Sequence, residues 1–111
     1  MDTQLNYPEL VKKLLQEYAD FFSRGIEYPL KPVFDDIQLS YLLLDSNWHG
    51  RKYIHHTPLH IDIINNKIWI QYDDTEEGIA TDLLEAGVPA QDIVLGFRPA
   101  ELRPYTEFAV A

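Results

Sequence analysis

The sequence predicts an α+β fold: an antiparallel sheet of four or more strands with two main helices packed on one face, in a single domain spanning residues 1–111. Three observations carry this reading. Val11, Leu14, Leu15, Tyr18, Ala19 and Phe22 recur at the spacing of an amphipathic helix. The stretch IDIINNKIWI, from Ile61 to Ile70, places apolar-polar alternation on both sides of Asn65-Asn66, the pattern of a β-hairpin. A second helical stripe, Ile79, Ala80, Leu83 and Leu84, follows it. A chain of 111 residues has room for one core, and 46% apolar residues suffice to fill it.

Taken in order, the first helix is expected from Asn6 to Arg24. Asn6 serves as N-cap, Pro8 sits in the first turn where its missing N–H costs nothing, and Gly25 is the stop. Ile26 to Asp35 is apolar but interrupted by Pro29 and Pro32, which a central strand does not tolerate, so it reads as an edge strand or an extended arm. A turn at Asp35-Asp36 leads into a strand over Ile37–Asp45, with Ile37, Leu39, Tyr41 and Leu43 on one side and Leu42 and Leu44 on the other. Ser46 to Gly50 reads as a loop holding Trp48 and His49.

Arg51 to Ile63 is a long strand, bent or bulged near Pro58. Asparagine tolerates positive φ, so Asn65-Asn66 predicts a type I′ turn, with Lys67–Tyr72 as the return strand. That turn pairs Ile63 with Ile68 and Ile61 with Ile70 on the core face. On the opposite face it pairs Asp62 with Trp69 and His60 with Gln71. Asp73 to Glu77 opens the second helix, with Asp74 and Glu77 at capping-box spacing, and Gly87 and Pro89 close it. Pro89–Asp92 is a short turn, Ile93–Phe97 a short strand-like segment, Arg98–Pro104 a loop, and Tyr105–Val110 a last strand.

Charge and composition narrow the function. The chain has nine Lys and Arg against eighteen Asp and Glu, a net charge of −9. Between Asp73 and Asp92 there are seven acids and no base, and Arg51-Lys52 is too small a basic cluster for a duplex footprint. Direct nucleic-acid binding is therefore expected to be weak or absent, whereas a basic protein partner would suit the charge. Without cysteine, disulfides, thiolate chemistry and cysteine-ligated metals are excluded. No long apolar stretch or signal peptide is seen, so the expectation is a cytoplasmic protein without membrane association.

The candidate chemistry is thin. His60, Asp62, Gln71 and Asp73 fall on one expected sheet face, where a histidine beside carboxylates suits a metal ligand set or an acid–base pair. The simpler reading is a polar, solvated face with Trp69 packed across it. His55 and His56 are adjacent on a strand and point to opposite faces, so they cannot chelate together, whereas His56 and His60 share a face only if no bulge intervenes. Asp73, Asp74, Glu76 and Glu77 resemble a nuclease acid cluster, but helix capping accounts for them without a metal. Trp48, Tyr53, Trp69, Phe97 and Phe108 are expected in the core or at an interface. No phosphate loop, nucleophile elbow or zinc-protease motif is present.

A longer pattern runs through the chain. It begins with Trp48, Arg51 and Tyr53, then His60 and Asp62, then KIWIQ (Lys67 to Gln71). It continues through Asp73, Thr75-Glu76, Gly78-Ile79-Ala80, Gly87-Val88-Pro89 and DIVLGF (Asp92 to Phe97), and ends with Arg103 and TEFA (Thr106 to Ala109). In this the sequence resembles the XisI family, the fdxN element excision controlling factor proteins of cyanobacteria. The resemblance implies an accessory factor in programmed DNA rearrangement, working with an XisH-type protein and a site-specific recombinase. It implies no catalytic residue, metal or cofactor.

Together these readings give an expectation: a non-enzymatic controlling factor that binds an XisH-type partner, with Trp48, His60, Asp62, Trp69, Gln71 and Glu76 at the interface. Trp69 leads because tryptophan is enriched at binding hot spots. The competing expectations are a DNA-binding architectural excision factor and a small metal-dependent enzyme using the His60/Asp62/Asp73 face. Self-association through the proline-rich edge or the aromatics is a further expectation.

Overall fold

The computed structural model describes residues 5–22, 29–75 and 78–111. Helix α1 (Tyr7–Phe22) comes first, followed by strands β1 (Lys31–Asp35), β2 (Ser40–His49), β3 (Lys52–Ile64) and β4 (Lys67–Asp73). Helix α2 (Ile79–Glu85) and strand β5 (Ile93–Leu95) complete the regular elements. Short 3₁₀ turns span Ala90–Asp92 and Ala100–Tyr105. The five strands lie in sequence order, β1 at one edge and β5 at the other.

Helix α1 starts where Asn6 caps it: its side chain accepts from the Glu9 N–H and its carbonyl from the Leu10 N–H. Val11, Leu15 and Ala19 are its buried stripe, Leu14 and Tyr18 are half-buried, and Phe22 is exposed. The expected helix end at Arg24, the Gly25 stop and the first residues of the Ile26–Asp35 segment lie outside the described residues. The proline-bearing stretch forms an edge strand, with Pro32 inside β1.

The Asn65-Asn66 turn has φ of 51° and 62°, as a type I′ turn requires. Ile63 pairs with Ile68, Ile61 with Ile70 and Asp62 with Trp69, as the turn implied. Tyr41, Leu43, Ile61, Ile68 and Ile70 form the sheet's core face, against Val11 and Leu15 of α1 and Ile79 and Leu83 of α2.

The mostly antiparallel sheet of more than four strands with two main helices is the α+β fold expected, and five details of it differ. The sheet is mixed, because β5 runs parallel to β4, with Ile68, Trp69 and Ile70 opposite Ile93, Val94 and Leu95. Helix α2 carries the chain back across the sheet before β5, and a returning strand runs parallel. Second, Ile37 belongs to a turn, not a strand, and is 92% exposed. The Asp35 carboxylate accepts from the N–H groups of Ile37 and Gln38 and folds the chain there, and Leu39 adopts φ 54° before β2 begins. Third, the supposed loop at Ser46–Gly50 is strand as far as His49, and a two-residue turn at Gly50-Arg51 closes a long β2–β3 hairpin.

Fourth, α2 begins at Ile79, and Asp73 supplies its entry. One Asp73 oxygen accepts from the Thr75 N–H and hydroxyl, the other from the Ile79 N–H at 2.7 Å. Asp74 instead lies 3.0 Å from His56 Nε2, and its expected capping-box partner, Glu77, lies outside the described residues. The helix buries Ile79 and Leu83, while Leu84 is exposed, and Gly87 closes it at φ 100°. Fifth, Tyr105–Val110 is not a strand. Tyr105 ends the second 3₁₀ turn, residues 106–108 bend, and the segment pairs with the sheet through a single bridge, Ala109 to Val94.

Three tyrosine hydroxyls tie the layers together. Tyr7 donates to Asp92, Tyr18 to Asp82 of α2, and Tyr41 to Asp36. Burial, then the carboxylate partner, pushes Tyr7 and Tyr41 up to about 12 and Tyr18 higher still.

Two outcomes follow from this packing. Asp73→Ala is expected to lose about 1–2 kcal/mol in urea unfolding, because the entry to α2 loses its acceptors, whereas Asp74→Ala should change stability by less than about 0.5 kcal/mol. The tyrosines stay protonated in the fold above the pH at which the unfolded chain releases their protons, near 10.0. Stability is therefore full below pH 10.0 and lost as pH rises through about 12. Urea midpoints across that range, with tyrosinate absorbance read in parallel, check the sign.

Candidate functional site

Two β-bulges decide which side chains share the outer face of the sheet. Between Leu43↔Leu59 and Asp45↔His56, β2 contributes one residue and β3 two, Thr57 and Pro58. Proline has no N–H for the ladder, so the extra residue falls where a donor is missing. Between His60↔Tyr72 and Ile61↔Ile70, the extra residue is Gln71 of β4. Each bulge reverses the inside–outside alternation beyond it.

The first bulge separates His56 from His60. His56 turns toward Asp74 and α2, while His60 faces outward. The second separates Asp73 from His60 and Asp62. Gln71 stays outward, but Asp73 turns to the helix side, where its two oxygens serve α2. The expected constellation of His60, Asp62, Gln71 and Asp73 is therefore not assembled, and His60 sits opposite Tyr72, not Gln71.

The residues that do meet are Ser40, His60, Asp62 and Gln71. The Ser40 hydroxyl and His60 Nε2 both contact Asp62 Oδ1, the latter at 3.0 Å, and Gln71 Nε2 donates to Asp62 Oδ2 at 3.2 Å. Ser40 Oγ is 3.3 Å from the same His60 nitrogen. A Ser-His-Asp triad needs serine and carboxylate on opposite imidazole nitrogens. Here both address Nε2, so the four side chains form a mutually bonded network that is not a triad. Among the described residues no three His, Asp or Glu side chains converge as a metal site.

Beside this network stands Trp69, half-buried, with the Arg103 guanidinium 5.1 Å from its ring. Arg103 is itself held by the carbonyls of Arg98 and Val110, so the C-terminal segment positions it over the indole. Beneath lies Gly96, whose N–H donates to the Ile70 carbonyl at 2.8 Å. A Cβ there would come within 2.6 Å of Gln71 Oε1 and 3.2 Å of both the Ile70 carbonyl oxygen and Trp69 Cε3. A larger residue there would have to displace the Gln71 tip and press on the Ile70 carbonyl and the Trp69 ring.

The face continues up the long hairpin, where Trp48 and Tyr53 pair with ring centroids 5.2 Å apart. Both are exposed, Trp48 at 62%, and Phe97 is exposed too, whereas Phe108 packs against the core. Of the expected interface residues, Trp48, His60, Asp62, Trp69 and Gln71 thus lie on one surface, and Glu76 lies outside the described residues. Sequence reasoning missed Ser40, Gly96 and Arg103. Ser40 could be placed only from the β1–β2 register, and Arg103 comes from a segment without periodicity.

Gly96→Ala is expected to cost about 1–3 kcal/mol in urea denaturation and to displace Gln71 from Asp62. An unchanged midpoint would contradict the close packing described.

The XisI protein family model matches residues 1–110 of the chain. Two solved structures from Anabaena variabilis ATCC 29413 are similar along nearly the whole length. One is fdxN element excision controlling factor XisI, 35% identical, with 95% of this chain and 96% of that one covered and a TM-score of 0.82. The other is a XisI-like protein, 36% identical, with the same coverage of each chain and a TM-score of 0.88. No curated protein matches. The family match and these whole-length likenesses show that the chain belongs to the XisI family.

Proposed function

We propose that this protein controls excision of a DNA element by holding a protein partner, an XisH-type protein, on the outer face of its sheet. Family membership and the excision-controlling-factor name of one similar structure support the first half of the reading. The observation that carries the second half is Trp69. It is a large amphipathic side chain, still partly exposed, with the Arg103 guanidinium over its ring and Gly96 packed close to its edge. A rigid anchor loses little entropy on binding, which is what a hot spot requires.

In this reading the chain contributes no catalysis, metal or cofactor of its own. The XisH-type partner or a site-specific recombinase does the nucleic-acid chemistry, in the cytoplasm. The net charge of −9 suits a protein partner better than DNA. His60, Asp62 and Gln71 supply polar groups already oriented by one another, and Trp48 extends the apolar contact along the hairpin.

Titration of the neighbouring XisH-type protein, followed by calorimetry and native mass spectrometry, tests the reading. Trp69→Ala is expected to weaken the complex by roughly tenfold or more while leaving circular dichroism unchanged. Wild-type affinity in that variant would reject this face as the interface. A gel shift at low salt, with or without the partner, separates this reading from direct DNA binding, which would lose affinity steeply as salt is added.

A further inference from the structure

Beyond Leu44 the β2–β3 hairpin leaves the sheet. β1 pairs with β2 as far as Leu44, and β4 pairs with β3 from Leu59 onward. Residues 45–57 therefore form a two-stranded arm with no third strand on either edge among the described residues. The arm projects about 17 Å at ordinary strand rise. A two-stranded ribbon alone is marginal in water.

Its composition is the reverse of the rest of the chain. Of residues 45–57 only Asp45 is acidic, although the protein has eighteen acids, and the arm holds Arg51, Lys52 and three of the four histidines. Among the described residues neither Arg51 nor Lys52 pairs with an acid. Register places Lys52 and Ile54 on the same side of the arm as Asp45 and His56, the side away from Trp48 and Tyr53.

On that same side, at the base of the arm, opens a cleft of about 980 Å³ between α1, the arm and the approach to α2. Glu17 and Asp20 of α1 and Asp82 of α2 line it, with Phe21 and Phe22 as its apolar wall. Phe21 and Phe22 are exposed at 64% and 43%. Glu17 and Asp20 stand toward the C-terminal end of the described helix, where negative charge opposes the helix dipole.

We propose that two copies of this chain dimerise by clasping arms. The cleft side of each arm lies along the other, antiparallel about a two-fold axis, and the Lys52 end of each enters the acidic cleft of its partner. Ile54 lies nearer the axis, and Phe21 and Phe22 receive the arm's apolar surface. A second copy is the occupant because one chain carries both complementary halves on one side, at opposite ends of the arm. A single two-fold rotation satisfies both contacts and closes the assembly. The outer face with Trp69 is left free, so this inference is independent of the partner-binding reading.

The test uses Lys52→Glu and, separately, the double variant Glu17→Lys/Asp20→Lys. Analytical ultracentrifugation should find the wild-type chain dimeric in the micromolar range. Each variant alone brings like charges together at both contacts, and its dimer association constant should fall by about tenfold or more. Mixed in equal amounts, the two variants restore opposite charges at both contacts and should form a heterodimer by native mass spectrometry. A monomeric wild type, with the arm serving some acidic protein or nucleic acid instead, overturns the proposal. So do variants that dimerise normally, or variants that stay monomeric when mixed while retaining the wild-type circular dichroism.

Discussion

Everything on the outer face depends on where two strands carry one residue too many. The bulge at Thr57-Pro58 turns His56 inward and His60 outward, and the bulge at Gln71 keeps Trp69 and Gln71 outward while sending Asp73 to the helices. Without the second bulge, Asp73 would face outward on the same side as His60 and Asp62, and α2 would lose the acceptor for its first N–H. One backbone irregularity thus supplies a helix cap and removes a charge from the outer face. The Asn65-Asn66 turn sets the register from which the second bulge is counted.

The C-terminal segment finishes what the bulges begin. β5 pairs parallel to β4 opposite Trp69, and Gly96 then lets the chain pass directly under the indole. The 3₁₀ turn at Ala100–Tyr105 returns Arg103 over the ring. The fold holds a tryptophan and a Ser40–Asp62–His60–Gln71 network in place on the outer face.

Much of this was legible in the sequence. The α1 stripe at Val11, Leu15 and Ala19, the asparagine hairpin and its isoleucine pairs, and the edge position of the Pro32 strand each follow from a local rule of spacing or backbone geometry. Resemblance to the XisI family was carried by motifs spread over most of the chain. What escaped notice depends on distant partners. Gln71 looks like an ordinary alternating residue, and only pairing with β3 shows it to be the extra one. Ile37 looks like a strand residue until the Asp35 side chain captures its N–H. Tyr105–Val110 has strand composition but meets the sheet at one bridge, since β5 is only three residues long. Spacing points to Asp74 as the acid that caps α2, whereas Asp73 does so, because the bulge that aims Asp73 at the helix leaves no trace in composition.

The central claim is that the outer face of the sheet receives the protein partner, and the chain carries its own reporters. Its two tryptophans, Trp48 and Trp69, both lie on that face. The most direct measurement is a nitrogen-15 correlation spectrum of the labelled protein as unlabelled XisH-type partner is added. Both indole N–H signals should shift or broaden in step with complex formation, Trp69 most strongly. A complex that forms while both indole signals keep their free positions would contradict the account.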